Sequence, residues 1–199
     1  SAQFRKEHKK VACHFRSMLS KVQVDHLSRK HAPLYAAVSA DVLLKTKHYK
    51  DAIPFVKIAL PNEKKRENKP RFQYVLAQLY QMDGEREAAR NAYQKVIKMQ
   101  PSNEMDFNAR LRLAQLEKSP QDGIKLLNKM AKLDKNKDQL DQIYGTIGDV
   151  YLAQKDTVKA LEYYEKAIES SVQHGMAKAK VLVTAGDIYY QQRNYIKAS

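Results

Sequence analysis

The sequence predicts an all-α protein built from helix pairs stacked as a solenoid. Three observations carry this. Only 6 Gly and 6 Pro interrupt 199 residues, too few breakers for a many-stranded β protein. Apolar residues recur at i, i+4 and i+7, the period of a helix face. A small residue is followed twelve positions later by Ala at Ala40/Ala52, Ala77/Ala89, Gly148/Ala160 and Gly186/Ala198. Such pairs mark where two helices cross, because only small side chains permit the close approach.

The elements follow in order. Residues 1–31 read as a basic amphipathic helix near 3–19 and a connector. Phe4, Val11, Phe15, Met18, Leu19 and Val22 share one face, and Arg5, Lys6, Lys9, Lys10, Arg16 and Lys21 crowd the rest. This helix is read first as the cover of an exposed solenoid end, and second as a surface for an anionic partner. Helix pairs are predicted near 33–60, 70–99, 104–133 and 138–170, and a last pair starts near 176. In the clearest copy Leu76, Ala77 and Tyr80 form one stripe, Asp83-Gly84 breaks the helix, and Ala89, Tyr93 and Val96 form the second stripe before Pro101. The first copy repeats this with Ala40, then Tyr49, Ala52, Val56 and Ala59. The fourth has Ile147, Gly148 and Tyr151, then Ala160, Tyr164 and Ala167. The copy at 102–134 is degenerate: Phe107, Ala109, Leu111, Leu113, Ala114 and Leu116 precede what reads as a short turn at Ser119-Pro120. Ile124, Leu127 and Met130 follow. A charged connector, partly helical, runs from Pro61 to Pro70. About five repeats are expected in a single domain, the last truncated at Ser199, and the start is expected to lie inside a longer protein.

Charge is uneven. The net is +14, and residues 1–69 hold 16 Lys/Arg against 6 Asp/Glu. A positive N-terminal third attracts anions over about a Debye length. Lys6, Lys9, Lys10 and Arg16 are the candidate patch for an anionic partner.

No catalytic constellation emerges. Cys13 and His14 are adjacent, so on a helix they point about 100° apart, poor geometry for a nucleophile and its base. His8, His14, His26, His31 and His48 contain no i, i+4 pair for a metal. Asp134, Asn136, Asp138 and Asp141 lack the Gly and terminal Glu of a calcium loop, and Asp138 and Asp141 are read as charges at a helix start. No phosphate-cradling Gly loop is present. The expectation is no enzyme, no metal, no cofactor and no small-molecule substrate, with nucleic acid disfavoured. Tyr80, Tyr93, Tyr151, Tyr164 and Tyr189 are assigned to the core. Tyr74, Tyr144 and Tyr190 fall off that stripe and are read as free to meet a ligand.

The residues at 70–101 resemble a tetratricopeptide repeat, which implies a right-handed α-solenoid and a non-catalytic protein-interaction scaffold. Arg71-Phe-Gln-Tyr-Val-Leu-Ala-Gln-Leu-Tyr-Gln, Asn103-Glu-Met-Asp-Phe-Asn-Ala-Arg-Leu-Arg-Leu-Ala-Gln and Leu133-Asp-Lys-Asn-Lys-Asp-Gln-Leu-Asp-Gln-Ile-Tyr-Gly further resemble the PorW/SprE lipoproteins of Bacteroidetes. That resemblance implies type IX secretion and gliding motility, a periplasm-facing position at the outer membrane through an upstream lipid anchor, and envelope secretion components as protein partners. In similar repeats the first helices line the concave groove. Carried over repeat by repeat, this names Asp41 and Lys45; Arg71, Tyr74, Gln78 and Met82; Asn108 and Gln115; Gln142 and Asp149; Lys180, Asp187 and Tyr190. The alternative is an anion- or nucleic-acid-associated sensor that uses the basic N-terminal part.

Overall fold

A computed structural model describes residues 32–171 and 176–191. The leading helix, the basic patch at Lys6, Lys9, Lys10 and Arg16, and the second helix of the last pair lie outside the described residues. The order is α1 (Ala32–Lys45), α2 (Tyr49–Asn62), α3 (Lys69–Met82), α4 (Arg86–Lys98), α5 (Asn103–Leu116), α6 (Pro120–Ala131), a 3-10 turn (Asp134–Gln139), α7 (Leu140–Ala153), α8 (Thr157–Ser170) and α9 (Met176–Gln191). No strand occurs among the described residues. Four of the expected helix pairs, and the first helix of the last, are therefore present among the described residues. The chain groups into two compact units, one ending at Ala109 and one beginning at Arg110.

In the first unit α1 packs on α2, α2 on α3, and α3 on α4. Ala52, Ala77 and Ala89 are fully buried at the crossings, and Ala40 nearly so. Four residues beyond the crossing Ala of each second helix, Val56 and Tyr93 are sealed from solvent. Burying an aliphatic or aromatic side chain of this size stabilises by about 1.5–3 kcal/mol, so this short stripe supplies much of the driving force. Lys57 Nζ lies 5.5 Å from the centre of the Tyr80 ring, which fastens α2 to α3.

Each helix pair is joined by a turn of three residues: 46–48, 83–85, 117–119 and 154–156. In three of them the middle residue is left-handed: Lys47 at φ 62°, Gly84 at φ 80° and Lys155 at φ 64°. The amides that follow return to the helix. His48 N–H donates to Leu43 O at 2.8 Å, Glu85 to Tyr80 O at 2.9 Å, and Asp156 to Tyr151 O at 3.1 Å. This is the Schellman closure, which satisfies carbonyls the helix end would leave open. Gly84 is the residue type the conformation favours, whereas the two lysines sit there at a cost.

The second unit contains α6 to α9, with α6 on α7, α7 on α8, and α9 against both α7 and α8. Its first turn corrects the expectation of a short connection, since 117–119 matches the others in length. It closes differently. Ser119 is extended, as the residue before Pro120 must be. The crossing also differs: Leu111 stands twelve residues before Gly123, so the first-helix position is large and the second holds Gly where the other pairs hold Ala. A Cβ on Gly123 would run into the carbonyl oxygen of Ala114. Gly148 is equally tight, because a Cβ there would overlap the Tyr164 ring. Tyr80, Tyr93 and Tyr164 are core residues, but Tyr151 and Tyr189 are half-buried. The segment once comparable to a calcium loop is the 3-10 turn, pinned by buried Asn136, which donates to Met130 O at 2.8 Å.

These packings have measurable consequences. Ala77→Leu and Gly123→Ala should each destabilise by about 1–3 kcal/mol through overpacking at a crossing. Lys155→Gly should stabilise by about 0.5–1 kcal/mol, because relieved left-handed strain exceeds the added chain entropy. Urea unfolding of the three variants checks both signs, and an unchanged midpoint for Ala77→Leu would mean that the assigned crossing is wrong.

Candidate functional site

In the first unit the first-helix face carries a cavity of about 460 Å³. Ala37 and Leu44 of α1 and Phe72 and Val75 of α3 give it an apolar lining, with Asp41 and Arg71 also bordering it. The helical spacing of Ala37, Asp41 and Leu44 sets all three on one stripe of α1. Asp41 accepts an ion pair from Lys45, one turn along, at 2.6 Å, and both are exposed. Arg71 makes no ion pair among the described residues and is exposed. The structure thus brings Asp41 and Arg71 to one cavity, with Lys45 paired to Asp41.

Other predicted residues are used differently. Tyr74 was read as free, yet it is half-buried, edge-on to Tyr93 with ring centres 5.5 Å apart. Its neighbour Gln73 is buried and donates to Ala92 O at 3.4 Å. Both contacts span nineteen residues. That spacing sets one helix of the pair against the other, and it is the signal that would have assigned Tyr74 to packing. Gln78 is half-buried, and Met82 is 60% exposed at the end of α3. Asn108 is half-buried and spends its amide on Glu104 O at 2.9 Å.

In the second unit Gln115 is half-buried in α5. Gln142 is half-buried at the start of α7, where its amide N–H donates to Asp141 Oδ1 at 2.8 Å and its carbonyl accepts from Thr146 Oγ1 at 2.7 Å. Asp141 stands in the first turn of α7, where a helix-start charge was expected, whereas Asp138 lies in the 3-10 turn before it. Asp149 joins three helices. Its Oδ1 accepts from the Tyr164 hydroxyl at 2.8 Å and its Oδ2 from Lys180 Nζ at 2.8 Å. Burial, and then the Asp149 charge and hydrogen bond, push the Tyr164 hydroxyl far above the ordinary tyrosine range. Asp187 is exposed, and Tyr190 is 65% exposed. Tyr144, also read as free, is half-buried with its ring centre 6.3 Å from that of Tyr163.

The sequence reading missed Ala37, Leu44, Phe72 and Val75, the apolar lining of the cavity. It had selected polar residues on the face and passed over apolar ones on the same stripe. The surface combines apolar area, the carboxylates of Asp41 and Glu63 and the guanidinium of Arg71. Among the described residues no three His, Cys, Asp or Glu side chains come together as metal ligands. None of the described helices is long and apolar enough to cross a membrane.

The family described as tetratricopeptide repeat matches residues 16–179. The chain belongs to this family. Tetratricopeptide repeat proteins are typically protein-interaction scaffolds. No curated protein sequence matches the chain. Among solved structures it is similar to BtubC from P. vanneervenii, with TM-score 0.57 and 17% identity over 97% of this chain and 82% of that one. It is also similar to YrrB, described as a tetratricopeptide repeat protein with an unusual peptide-binding site, with TM-score 0.56 and 17% identity over 89% of this chain and 84% of that one. The quorum sensor NprR of B. thuringiensis gives TM-score 0.64 and 12% identity over 96% of this chain and 58% of that one. At these identities the likeness concerns the fold alone.

The Asp149 junction predicts a pH response. Tyr164 holds its proton more tightly folded than unfolded, so above pH of about 10 the folded state binds more protons and stability falls as pH rises. Tyr164→Phe should flatten that fall and cost about 0.5–1.5 kcal/mol at neutral pH for the lost hydrogen bond. Denaturant melts at neutral and alkaline pH measure both.

Proposed function

We propose that this tetratricopeptide repeat protein is a non-catalytic scaffold that binds an extended segment of a protein partner on the first-helix face of its repeats. The observation that supports this best is the cavity between α1 and α3, with its apolar lining and the charges of Asp41 and Arg71. Such a surface suits a peptide: apolar side chains fill the cavity while charged groups set register and orientation. The NprR structure solved in complex with its cognate peptide NprX and the peptide-binding site of YrrB support the same use of the fold. The partner class follows from the resemblance of residues 103–115 and 133–148 to the PorW/SprE proteins: a component of a Bacteroidetes envelope complex for type IX secretion and gliding motility. In that reading the full-length protein faces the periplasm at the outer membrane.

The test starts from a partner captured from the envelope with the full chain and then purified. Asp41→Ala and Arg71→Ala should each weaken its affinity by about tenfold, the loss of a contact worth roughly 1.4 kcal/mol. Salt should have a weak effect. A steep salt dependence that is abolished by neutralising Lys6, Lys9, Lys10 and Arg16, and left untouched by Arg71→Ala, would replace this reading with that of a basic anion-binding module.

A further inference from the structure

A second cavity of the first unit, of about 830 Å³, shares only Arg71, among the described residues, with the lining of the first. Alternating helix directions put residues 63–68, which lead into α3, at the same end of the unit as residues 99–102, which lead into α5. The cavity opens between these two connectors. Lys65, Arg66 and Arg71 line it, all three exposed, and none makes an ion pair among the described residues. Glu67 is the one carboxylate among the described lining residues. Pro70, Met99, Pro101 and Met105 supply apolar area, and Met99 is 37% exposed.

We propose that this connector edge is a second binding site, for an acidic peptide segment of a partner protein. The charges select the ligand. Guanidinium groups take carboxylates through two parallel hydrogen bonds, and here Glu67 is the one acid among the described lining residues, while Glu63 on the same connector accepts from the Lys65 backbone N–H at 2.8 Å. The lining selects its class. Methionine is flexible and polarisable and adapts to varied apolar side chains, so acidic residues interspersed with an aliphatic one fit both features. A single-stranded nucleic acid would want aromatic faces for its bases, and the described lining holds none. The site is separable from the first-helix face, although Arg71 lines both cavities. Arg71 is therefore left unchanged in the test.

The full chain, labelled at its methionine methyl groups, is titrated with a capped synthetic peptide of Glu and Leu and followed by NMR. The Met99 and Met105 methyl signals should move, while Met82 at the end of α3 and buried Met130 stay in place. Replacing exposed Lys65→Gln and Arg66→Gln together should weaken binding by about threefold to tenfold, and Glu67→Gln should strengthen it by about twofold. A matched Gln/Leu peptide should leave the signals still. The proposal is overturned if Met99 and Met105 do not move, if the double variant binds equally well, or if the Gln/Leu peptide acts as strongly. Larger shifts with a single-stranded oligonucleotide than with the peptide overturn it as well. Movement of Met82 alone would also overturn it, while leaving the first-helix face as the binding surface.

Discussion

The close crossing of the two helices in each repeat is the constraint on which the rest depends. Ala52, Ala89, Gly123 and Ala160 lie twelve residues after Ala40, Ala77, Leu111 and Gly148, and each is buried. Where the crossing is this tight, the residue one turn further along the second helix has nowhere to go but inward. Val56, Tyr93, Leu127 and Tyr164 occupy that place and are all sealed from solvent. The depth of the core follows from the smallness of its neighbours. The same crossing sets which first-helix residues face the second helix, as the nineteen-residue spacing of Gln73 with Ala92 shows.

A second relation runs between successive repeats. Asp41 of α1 and Arg71 of α3 border one cavity. Asp149 of α7 and Lys180 of α9 occupy the matching places and close into an ion pair at 2.8 Å. Local packing decides the outcome. Asp149 is held in place by the Tyr164 hydroxyl, which aims its second oxygen at Lys180. Asp41 is instead taken up by Lys45 on its own helix, and the space beside Arg71 stays open. One pair of groups is satisfied internally, and the other borders an open cavity.

The helix pairs and most of the core were legible because smallness and periodicity are written directly in residue types. What was not legible has physical causes. Left-handed residues are normally announced by Gly, and Gly84 was read correctly as a breaker, but Lys47 and Lys155 adopt the same conformation without that label. The third repeat reads as degenerate because its turn looks short and no crossing residue stands out, whereas its turn has the common length and Gly123 makes the close approach, to the Ala114 carbonyl. Asn136 lies in a stretch that looks solvated, and its burial depends on a carbonyl six residues away. For the candidate surface, Asp41 and Arg71 were placed by register alone. Tyr74 and Tyr144 are half-buried because an aromatic off the main stripe can still lean on a second-helix tyrosine.

The equal turns have a consequence for how length can vary in this chain. Within a pair, the three-residue turn fixes the rotational phase of the second helix relative to the first. One extra residue in the helix beyond such a turn would rotate every following side chain by about 100°, carrying Tyr93 or Tyr164 out of the core. The connectors between pairs carry no such phase requirement: 63–68, 99–102 and 132–139 differ in length, and one even holds a 3-10 turn. On this geometry a length change between pairs should cost less than one within a pair. The repeat behaves as a reading frame whose punctuation lies between the pairs and not within them.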